Sequence, residues 1–178
     1  MSTARISAIA AVTIDGRIAH DHNHPSLWAS REDKLFLRKL LDQNAVAIVG
    51  RKTYALARKP LAKRNCIVLT SSIQGVERRS NTVLLVNPEH VPFYDFLQSY
   101  PTVAVLGGTQ TYTYFFERDL LDELYLTIEP LVFGNGLPLC ATAAAGKTSF
   151  TLTGMERLNA RGTIRLHYER SRGVAQRS

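Results

Sequence analysis

Five short apolar runs, separated by segments of helical periodicity, constrain the fold of this 178-residue chain more than any other feature. Runs of four to eight apolar residues suit strands that are buried on both faces. The runs occupy residues 6–13, 45–49, 65–69, 83–86 and 103–106. Short apolar strands that alternate with helices predict an α/β fold with a mostly parallel central sheet and helices on both faces, which makes three layers.

The last third of the chain follows a different pattern. Residues 123–129 alternate between polar and apolar side chains with period two, and so do parts of 150–155 and 163–168. Arg161-Gly162 predicts a hairpin turn between the last two segments. We therefore expect an antiparallel C-terminal edge on the sheet. Because no linker or repeat interrupts the chain, we expect one domain over residues 1–170 and a basic tail at 171–178.

The formal charge of +7 suggests a negatively charged partner. The basic residues are spread along the chain, with no Lys/Arg stripe interleaved with aromatic residues, so we expect no nucleic-acid partner. The group between Arg51 and Arg64 favours a pocket for a small anionic molecule instead. No apolar run approaches membrane-spanning length and no signal peptide is evident, which predicts a cytoplasmic protein without a membrane partner. Cys66 and Cys140 lie in apolar runs and are predicted to be buried thiols.

A helix is predicted from Ser30 to Leu41, and it places an acid in an unusual position. Ser30 precedes Asp33 by three residues, a capping-box spacing. At about 100° per residue, Asp33 falls on the apolar face of this helix. Its carboxyl group is therefore either a cap turned back on the helix backbone or a group aimed into a pocket.

Three predicted strands end in residues that suit an anionic ligand. They are followed by Gly50-Arg51-Lys52-Thr53, Thr70-Ser71-Ser72 and Gly107-Gly108. Glycines at such turns let the backbone approach a pyrophosphate, and Arg51 with a hydroxyl near Ser71 suits a monoester phosphate. Each signal alone also fits an ordinary turn. Together they predict a phosphorylated dinucleotide at the carboxyl ends of the strands.

The chain offers no nucleophile with an adjacent base and no complete set of metal ligands. His20, His22 and His24 alternate in a polar loop, but no acid or cysteine completes a site, so we expect no metal. One buried acid beside a dinucleotide site is typical of a reductase, in which the cofactor supplies the hydride.

Several motifs between residues 6 and 168 occur together in one known family. They are Ile9-Ala10-Ala11, residues 15–19 (DGRIA), Trp28 with Asp33, residues 50–54 (GRKTY), Thr70-Ser71, Pro60-Leu61 with Arg64, Gly107-Gly108 with Tyr112, and Thr127. In these motifs the chain resembles the dihydrofolate reductase superfamily, which also contains the reductase domain of the riboflavin-biosynthesis deaminase/reductase. The resemblance implies a three-layer dihydrofolate-reductase-like fold.

The resemblance also implies roles for individual residues. Asp33, Trp28 and Thr127 would be catalytic, and Arg64 would hold a substrate carboxylate or phosphate. Three apolar residues, for which plain core packing is an equal alternative, would line the substrate pocket: Ile9, Phe36 and Leu37. The implied cofactor is NADPH, held by Ala11, Ile18, Gly50, Arg51, Lys52, Thr53, Thr70, Ser71, Ser72, Leu106, Gly107, Gly108, Gln110 and Tyr112. Gln110 stands where the family commonly has an arginine.

Two substrates remain open within the resemblance. Asp33 and Arg64 favour an NADPH-dependent reductase that converts dihydrofolate to tetrahydrofolate. Residues 13–19 and 134–139 are closer to the riboflavin branch, although Lys59 departs from it, so the alternative is a 5-amino-6-(5-phosphoribosylamino)uracil reductase. A second alternative is a non-catalytic, nucleotide-binding relative. The resemblance implies a monomer or a homodimer. In either enzyme Asp33 would orient the ring and favour its protonation, with a raised pKa.

Overall fold

The computed structural model describes residues 3–23, 26–61, 63–141 and 149–171. The strands in these residues are β1 (Arg5–Thr13), β2 (Arg17–Ala19), β3 (Val46–Gly50), β4 (Cys66–Leu69), β5 (Val76–Arg78), β6 (Val83–Val86), β7 (Thr102–Val105), β8 (Glu123–Glu129), β9 (Leu137–Pro138), β10 (Phe150–Arg157) and β11 (Ile164–Arg170). The α-helices are α1 (Arg31–Gln43), α2 (Arg51–Leu56), α3 (Arg58–Leu61), α4 (Phe93–Leu97) and α5 (Thr109–Glu117), and Ser26–Trp28 forms a 3-10 helix.

Nine of these strands form one sheet in the order β10-β11-β8-β1-β7-β3-β4-β6-β5. The central pairs β8-β1, β1-β7, β7-β3, β3-β4 and β4-β6 are parallel. The pairs β11-β8 and β10-β11 are antiparallel, as is β5-β6 at the opposite edge. This topology confirms the predicted mixed α/β sheet with an antiparallel C-terminal edge. The strands β2 and β9 pair separately.

Helices cover both faces of the sheet because the buried strands carry apolar residues on both sides. On one face, Ile6 and Ala8 of β1 pack with Phe93 of α4 and Phe115 of α5. On the other face, Ile9 packs with α1 through two leucines of its apolar stripe, Leu40 and Leu41, and with Leu61 of α3. Successive residues of a strand point to opposite faces, so β1 contributes to both cores. The expected three layers are present.

Three local expectations differ from the structure. The strand β8 is not part of the antiparallel edge alone: it runs parallel to β1 and antiparallel to β11. The sequence from Pro88 onward also predicts a helix, but α4 begins only at Phe93, because the Asn87 side chain accepts a hydrogen bond from Glu89 N–H (3.2 Å) in a turn and Pro92 precedes the helix. Cys66 is buried as predicted, whereas the Cys140 thiol is half-buried.

Some predictions fall outside the part of the chain that the structure describes. These are His24 of the histidine loop and residues 172–178 of the expected basic tail. Among the described residues, no helix is both long enough and apolar enough to span a membrane.

Candidate active site

The start of α1 places Asp33 in the interior. The Ser30 hydroxyl caps the helix by accepting a hydrogen bond from Asp33 N–H (3.3 Å). The second half of the predicted capping box is absent, because Ser30 N–H donates to Glu129 Oε1 (2.7 Å) and not to Asp33. The Asp33 side chain instead meets the Thr127 side chain of β8 in a hydrogen bond. Of the two roles left open by the sequence, the structure supports the inward-facing one.

Burial controls the ionisation of this acid. Asp33 is 7% exposed, and loss of hydration raises the pKa of its carboxyl group above the usual range. The Thr127 hydrogen bond opposes this shift, and the negative charge of Glu129 adds to it. The positive charges of Arg165 and Lys34 lower the pKa but do not reverse the shift. The predicted raised pKa is therefore confirmed.

A buried tyrosine connects Asp33 to the end of β7. The Tyr112 hydroxyl donates to the Ile9 carbonyl oxygen (2.5 Å), and the tyrosine ring lies against Gly107. A Cβ atom on Gly107 would lie 2.5 Å from that ring, and the φ of +89° also favours glycine. Burial raises the Tyr112 pKa, and the charge of Asp33 contributes, which places both groups in one region. Residues of α1, β1, β7 and α5 thus converge at the carboxyl ends of the strands.

The two predicted glycine turns contact each other. Gly50 N–H donates to the Gly107 carbonyl oxygen (2.8 Å), and the peptide bond between Gly107 and Gly108 is cis. A Cβ on Gly50 would lie 2.9 Å from Thr111 Oγ1, and one on Gly108 would lie 3.3 Å from Thr53 Oγ1. Because β3 and β7 are neighbours in the sheet, both turns lie at the same edge, where the glycines let Thr53, Thr111 and Tyr112 pack directly against the backbone.

The other predicted cofactor residues continue along this edge. The Thr70 and Ser72 hydroxyls are hydrogen-bonded (2.7 Å) just after β4, which is the next strand beyond β3. Ala11, Ile18, Thr70 and Leu106 are half-buried, whereas Arg51, Lys52, Ser71, Ser72 and Gln110 are exposed. The exposed cations and hydroxyls are therefore accessible to an anion at this edge.

Trp28 lies in the 3-10 helix, shortly before α1. Its Nε1 is buried and has no hydrogen-bond partner among the described residues. The indole meets Phe133 edge-on (5.2 Å between centroids), and Phe133 stacks on His20 (3.7 Å). Asp15 fixes the Phe133 segment by accepting hydrogen bonds from Phe133 N–H (3.2 Å) and a neighbouring glycine N–H. The sequence had not indicated Phe133, because its partners are far away in the chain.

Arg64 is placed differently from the expected open carboxylate site. Its Nη2 forms an ion pair with Asp42 (2.5 Å), and its Nη1 donates to the Pro60 carbonyl oxygen (2.6 Å). Its Nε is buried and has no partner among the described residues. An acid on α1 therefore already holds the guanidinium group that would bind an anionic substrate tail.

The predicted apolar lining is a mixture of core and site residues. Ile9 is buried, and Leu37 is half-buried against the same core. The Phe36 ring centroid lies 5.6 Å from that of Tyr125, and the Arg165 guanidinium lies 3.6 Å above the Phe36 ring.

Two charged residues that the sequence did not indicate affect the Asp33 pKa. Glu129 raises it and Arg165 lowers it. The period-two pattern of β8 was the available signal for Glu129, since it places Glu129 on the same face as Thr127.

A cavity of about 310 Å³ lies elsewhere, at the amino ends of β1 and β8. Its lining includes Arg5, Ser7, Glu123 and His167. Arg5 and Ser7 donate hydrogen bonds to the Glu123 carboxylate, and His167 Nε2 lies within hydrogen-bond distance of it. Burial favours a higher pKa for Glu123, but these hydrogen bonds and the Arg5 charge outweigh burial and lower it. None of the predicted catalytic residues lines this cavity.

Comparisons with known proteins agree with the architecture. A family model described as dihydrofolate reductase matches residues 5–132. The dihydrofolate reductase of Haemophilus influenzae is 28% identical over 124 residues, which are 68% of this chain and 69% of that protein.

Two solved structures share the fold at low identity. The Enterococcus faecalis dihydrofolate reductase, solved with NADP(H), has a TM-score of 0.67 and 19% identity, covering 94% of this chain and 96% of its own. A pyrimidine reductase-like protein from Corynebacterium diphtheriae has a TM-score of 0.73 and 17% identity, covering 96% and 93%. Because the family model covers most of its length, the chain belongs to the dihydrofolate reductase family, which confirms the expected fold and the expected class of NADP-dependent oxidoreductase.

Proposed function

We propose that this protein is an NADPH-dependent reductase that transfers a hydride to a pterin, with dihydrofolate as its substrate. The observation that carries the proposal is the Asp33 carboxyl group, which is buried against Thr127 with a raised pKa. A carboxyl group in this setting pairs with an amino group and the adjacent ring nitrogen of a pterin through two parallel hydrogen bonds. The Haemophilus relative supports the choice of dihydrofolate.

The raised pKa gives Asp33 a part in proton handling. A catalytic acid works best when its pKa lies near the working pH, and burial moves the Asp33 pKa in that direction. Asp33 would orient the ring and favour a proton on the nitrogen of the C=N bond while the carbon accepts the hydride. The proton ultimately comes from solvent. Turnover should then fall as the pH rises through the Asp33 pKa, since the protonated form is lost.

The strand-end turns fit the nicotinamide cofactor. Gly50, Gly107 and Gly108 let the two strand-end turns pack closely together, with Thr53 and Thr111 against the turn backbone, at the carboxyl ends where a dinucleotide would bind. Arg51 and Lys52 are exposed beside them, near the hydroxyls that follow β4, and would hold phosphate groups. When bound, NADPH supplies the hydride. The protein supplies alignment with the substrate ring and, through Trp28 and Phe133, exclusion of water.

A second candidate is the reduction of 5-amino-6-(5-phosphoribosylamino)uracil. The Arg64–Asp42 ion pair favours this candidate, because it occupies the guanidinium group that a folate tail would use. The segment from Gly134 to Leu139 and the pyrimidine reductase-like neighbour agree with it. Its substrate carries a phosphate, which would displace Asp42 from Arg64.

The experiment measures NADPH oxidation with three substrates: dihydrofolate, a dihydropterin without the glutamate tail, and the phosphoribosylamino-pyrimidine. Turnover of dihydrofolate that is lost in Asp33→Asn supports the first proposal. Turnover of the pyrimidine alone replaces it with the second candidate. Tight NADPH binding without turnover of any of the three would contradict both.

A further inference from the structure

Glu129 is a buried carboxylate in a position that the proposed chemistry does not explain. It is the last residue of β8 and is 4% exposed. It lies two residues after Thr127, so both side chains point to the face of the sheet that α1 covers. Burying a carboxylate costs free energy unless specific contacts compensate, which makes its partners informative.

The partners of Glu129 tie three parts of the chain together. One carboxylate oxygen accepts the Ser30 N–H bond at the start of α1 (2.7 Å). The other accepts a hydrogen bond from the Thr163 hydroxyl (2.8 Å), just before β11. Thr163 is itself 1% exposed and is held by Asn159 at both its N–H and its hydroxyl group. Glu129 is therefore fixed on both oxygens.

These contacts reach Asp33 through the helix start. Ser30 is the N-cap, and its hydroxyl accepts the Asp33 N–H bond. Thr127 contacts the Asp33 side chain, while Glu129 holds the turn from which Asp33 projects. One strand thus fixes the catalytic acid at two points, two residues apart.

A neutral amide would also offer one oxygen to Ser30 N–H, in a weaker hydrogen bond, so the position itself does not require a charge. The Glu129 charge raises the Asp33 pKa, against the opposing charges of Arg165 on β11 and Lys34 on α1. The hydrogen-bond donors to Glu129 are a backbone N–H and a hydroxyl, so neither of them neutralises its negative charge.

We propose that Glu129 is a positioning residue, whose buried carboxylate anchors the first turn of α1 to β8 and keeps the Asp33 carboxyl group against Thr127. The inference rests on the proposed role of Asp33. Glu129 would have two separable effects: its hydrogen bonds hold the start of α1 in place, and its negative charge raises the Asp33 pKa.

Two substitutions separate these effects. Glu129→Gln keeps an oxygen for Ser30 N–H and removes the charge. Its turnover at low pH should stay within about twofold of wild type, while the alkaline loss of turnover moves to lower pH, since the Asp33 pKa falls. Glu129→Leu also removes the anchor. Its kcat should fall about 10- to 100-fold, the loss expected when a catalytic group is misplaced by about 1 Å.

Glu123→Gln is the matched control. Glu123 is an equally buried carboxylate on the same face of β8, but it lies at the other end of the strand. This variant should lose stability without any change in the pH profile. NADPH affinity, measured by fluorescence, should be unchanged in all three variants.

Carbon-13 NMR of the Asp carboxyl groups tests the inference without turnover, with the Asp33 signal assigned by Asp33→Asn. A lower Asp33 pKa in Glu129→Gln, and not in Glu123→Gln, supports the positioning role of Glu129. This result holds even when none of the assayed substrates is reduced. The lack of turnover would then count against the proposed function and not against the role of Glu129. An unchanged Asp33 pKa, or equal profile shifts in both variants, would overturn the positioning role.

Discussion

Asp33 and Glu123 are buried carboxyl groups on the same side of the sheet, and their environments push their pKa values in opposite directions. Asp33 is 7% exposed at the carboxyl end, and Glu123 is 5% exposed at the amino end. Asp33 has a hydroxyl partner, and its pKa is raised by burial. Glu123 is hydrogen-bonded to Arg5, Ser7 and His167, which together outweigh burial and lower its pKa.

The difference separates the proposed catalytic carboxyl group from a carboxylate with a structural role. A carboxylate that is surrounded by donors and a cation stays ionised and holds its neighbours together. A carboxyl group that is buried with a single hydroxyl keeps its proton more readily and remains able to exchange it with a ligand. The position in the sheet agrees with this division, because ligands of parallel α/β sheets bind at the carboxyl ends of strands.

The largest expected effect is that of Asp33→Asn on turnover. The amide keeps the size and the Thr127 contact but cannot handle a proton, so kcat should fall about 10²-fold or more. NADPH affinity, measured by fluorescence titration, should change less than about twofold, because the cofactor turns do not use Asp33. Glu123→Gln should keep wild-type kcat. Equal losses in the two variants would remove the distinction between the two ends.

Arg5→Met should have the next largest effect, and on stability alone. It removes the charged hydrogen bond to Glu123 and should lower the free energy of unfolding by about 2 kcal/mol in urea titrations. Arg5 is more than half exposed, so the loss comes from Glu123 left less compensated, not from Arg5 itself. Wild-type kcat and KM per folded molecule are expected. A changed KM would mean that the amino end communicates with the substrate site.

The two carboxyl groups should also have opposite effects on the pH dependence of stability. The folded Asp33 pKa is raised, so its favourable contribution is complete below the unfolded value of about 3.9 and is lost as the pH rises through the folded value. Asp33→Asn should therefore gain stability relative to wild type as the pH rises.

Glu123 has a lowered folded pKa. Its contribution is present above the unfolded value of about 4.3 and is lost as the pH falls through the folded value. The deficit of Glu123→Gln should therefore shrink in acid. Urea unfolding at about pH 3, about pH 4 and about pH 8 measures both differences, and parallel pH trends in the two variants would contradict the assignment.

The smallest expected effect concerns Asp42→Asn, at the C-terminal end of α1. Removing the acid frees the Arg64 guanidinium, so KM for dihydrofolate should fall about two- to fivefold, within the range of exposed ion pairs. KM for a dihydropterin without the glutamate tail should not change. An identical shift for both substrates would show that Arg64 does not contact the tail.

The sequence predicted those features that depend on local pattern. The period-two alternation gave β8 its bounds, Glu123–Glu129. The position of Asp33 on an apolar helix face predicted its burial. The glycines after two runs were expected at the carboxyl ends of strands, and the sheet order makes those strands neighbours. Burial and turn formation depend on residues that are close in the sequence, so a window of about ten residues is enough to predict them.

Features that depend on distant partners were not predictable in the same way. Glu129 bonds Ser30, which is 99 positions away, and Phe133 stacks on His20. The Arg64–Asp42 ion pair changes the expected role of Arg64, but no local pattern around either residue predicts that the two are paired. The strand β5 was missed because all three of its residues are exposed and it pairs only along an edge.

The place of β1 in the sheet has a consequence for biosynthesis. This apolar strand begins at residue 5, yet its partners β7 and β8 begin at residues 102 and 123. A ribosome adds roughly 5–20 residues per second, so a nascent β1 waits on the order of ten seconds for both neighbours. During that interval its backbone donors and apolar side chains are open to other nascent chains. Forming the centre of the sheet requires closing a long loop, and we expect this step to limit the rate of folding.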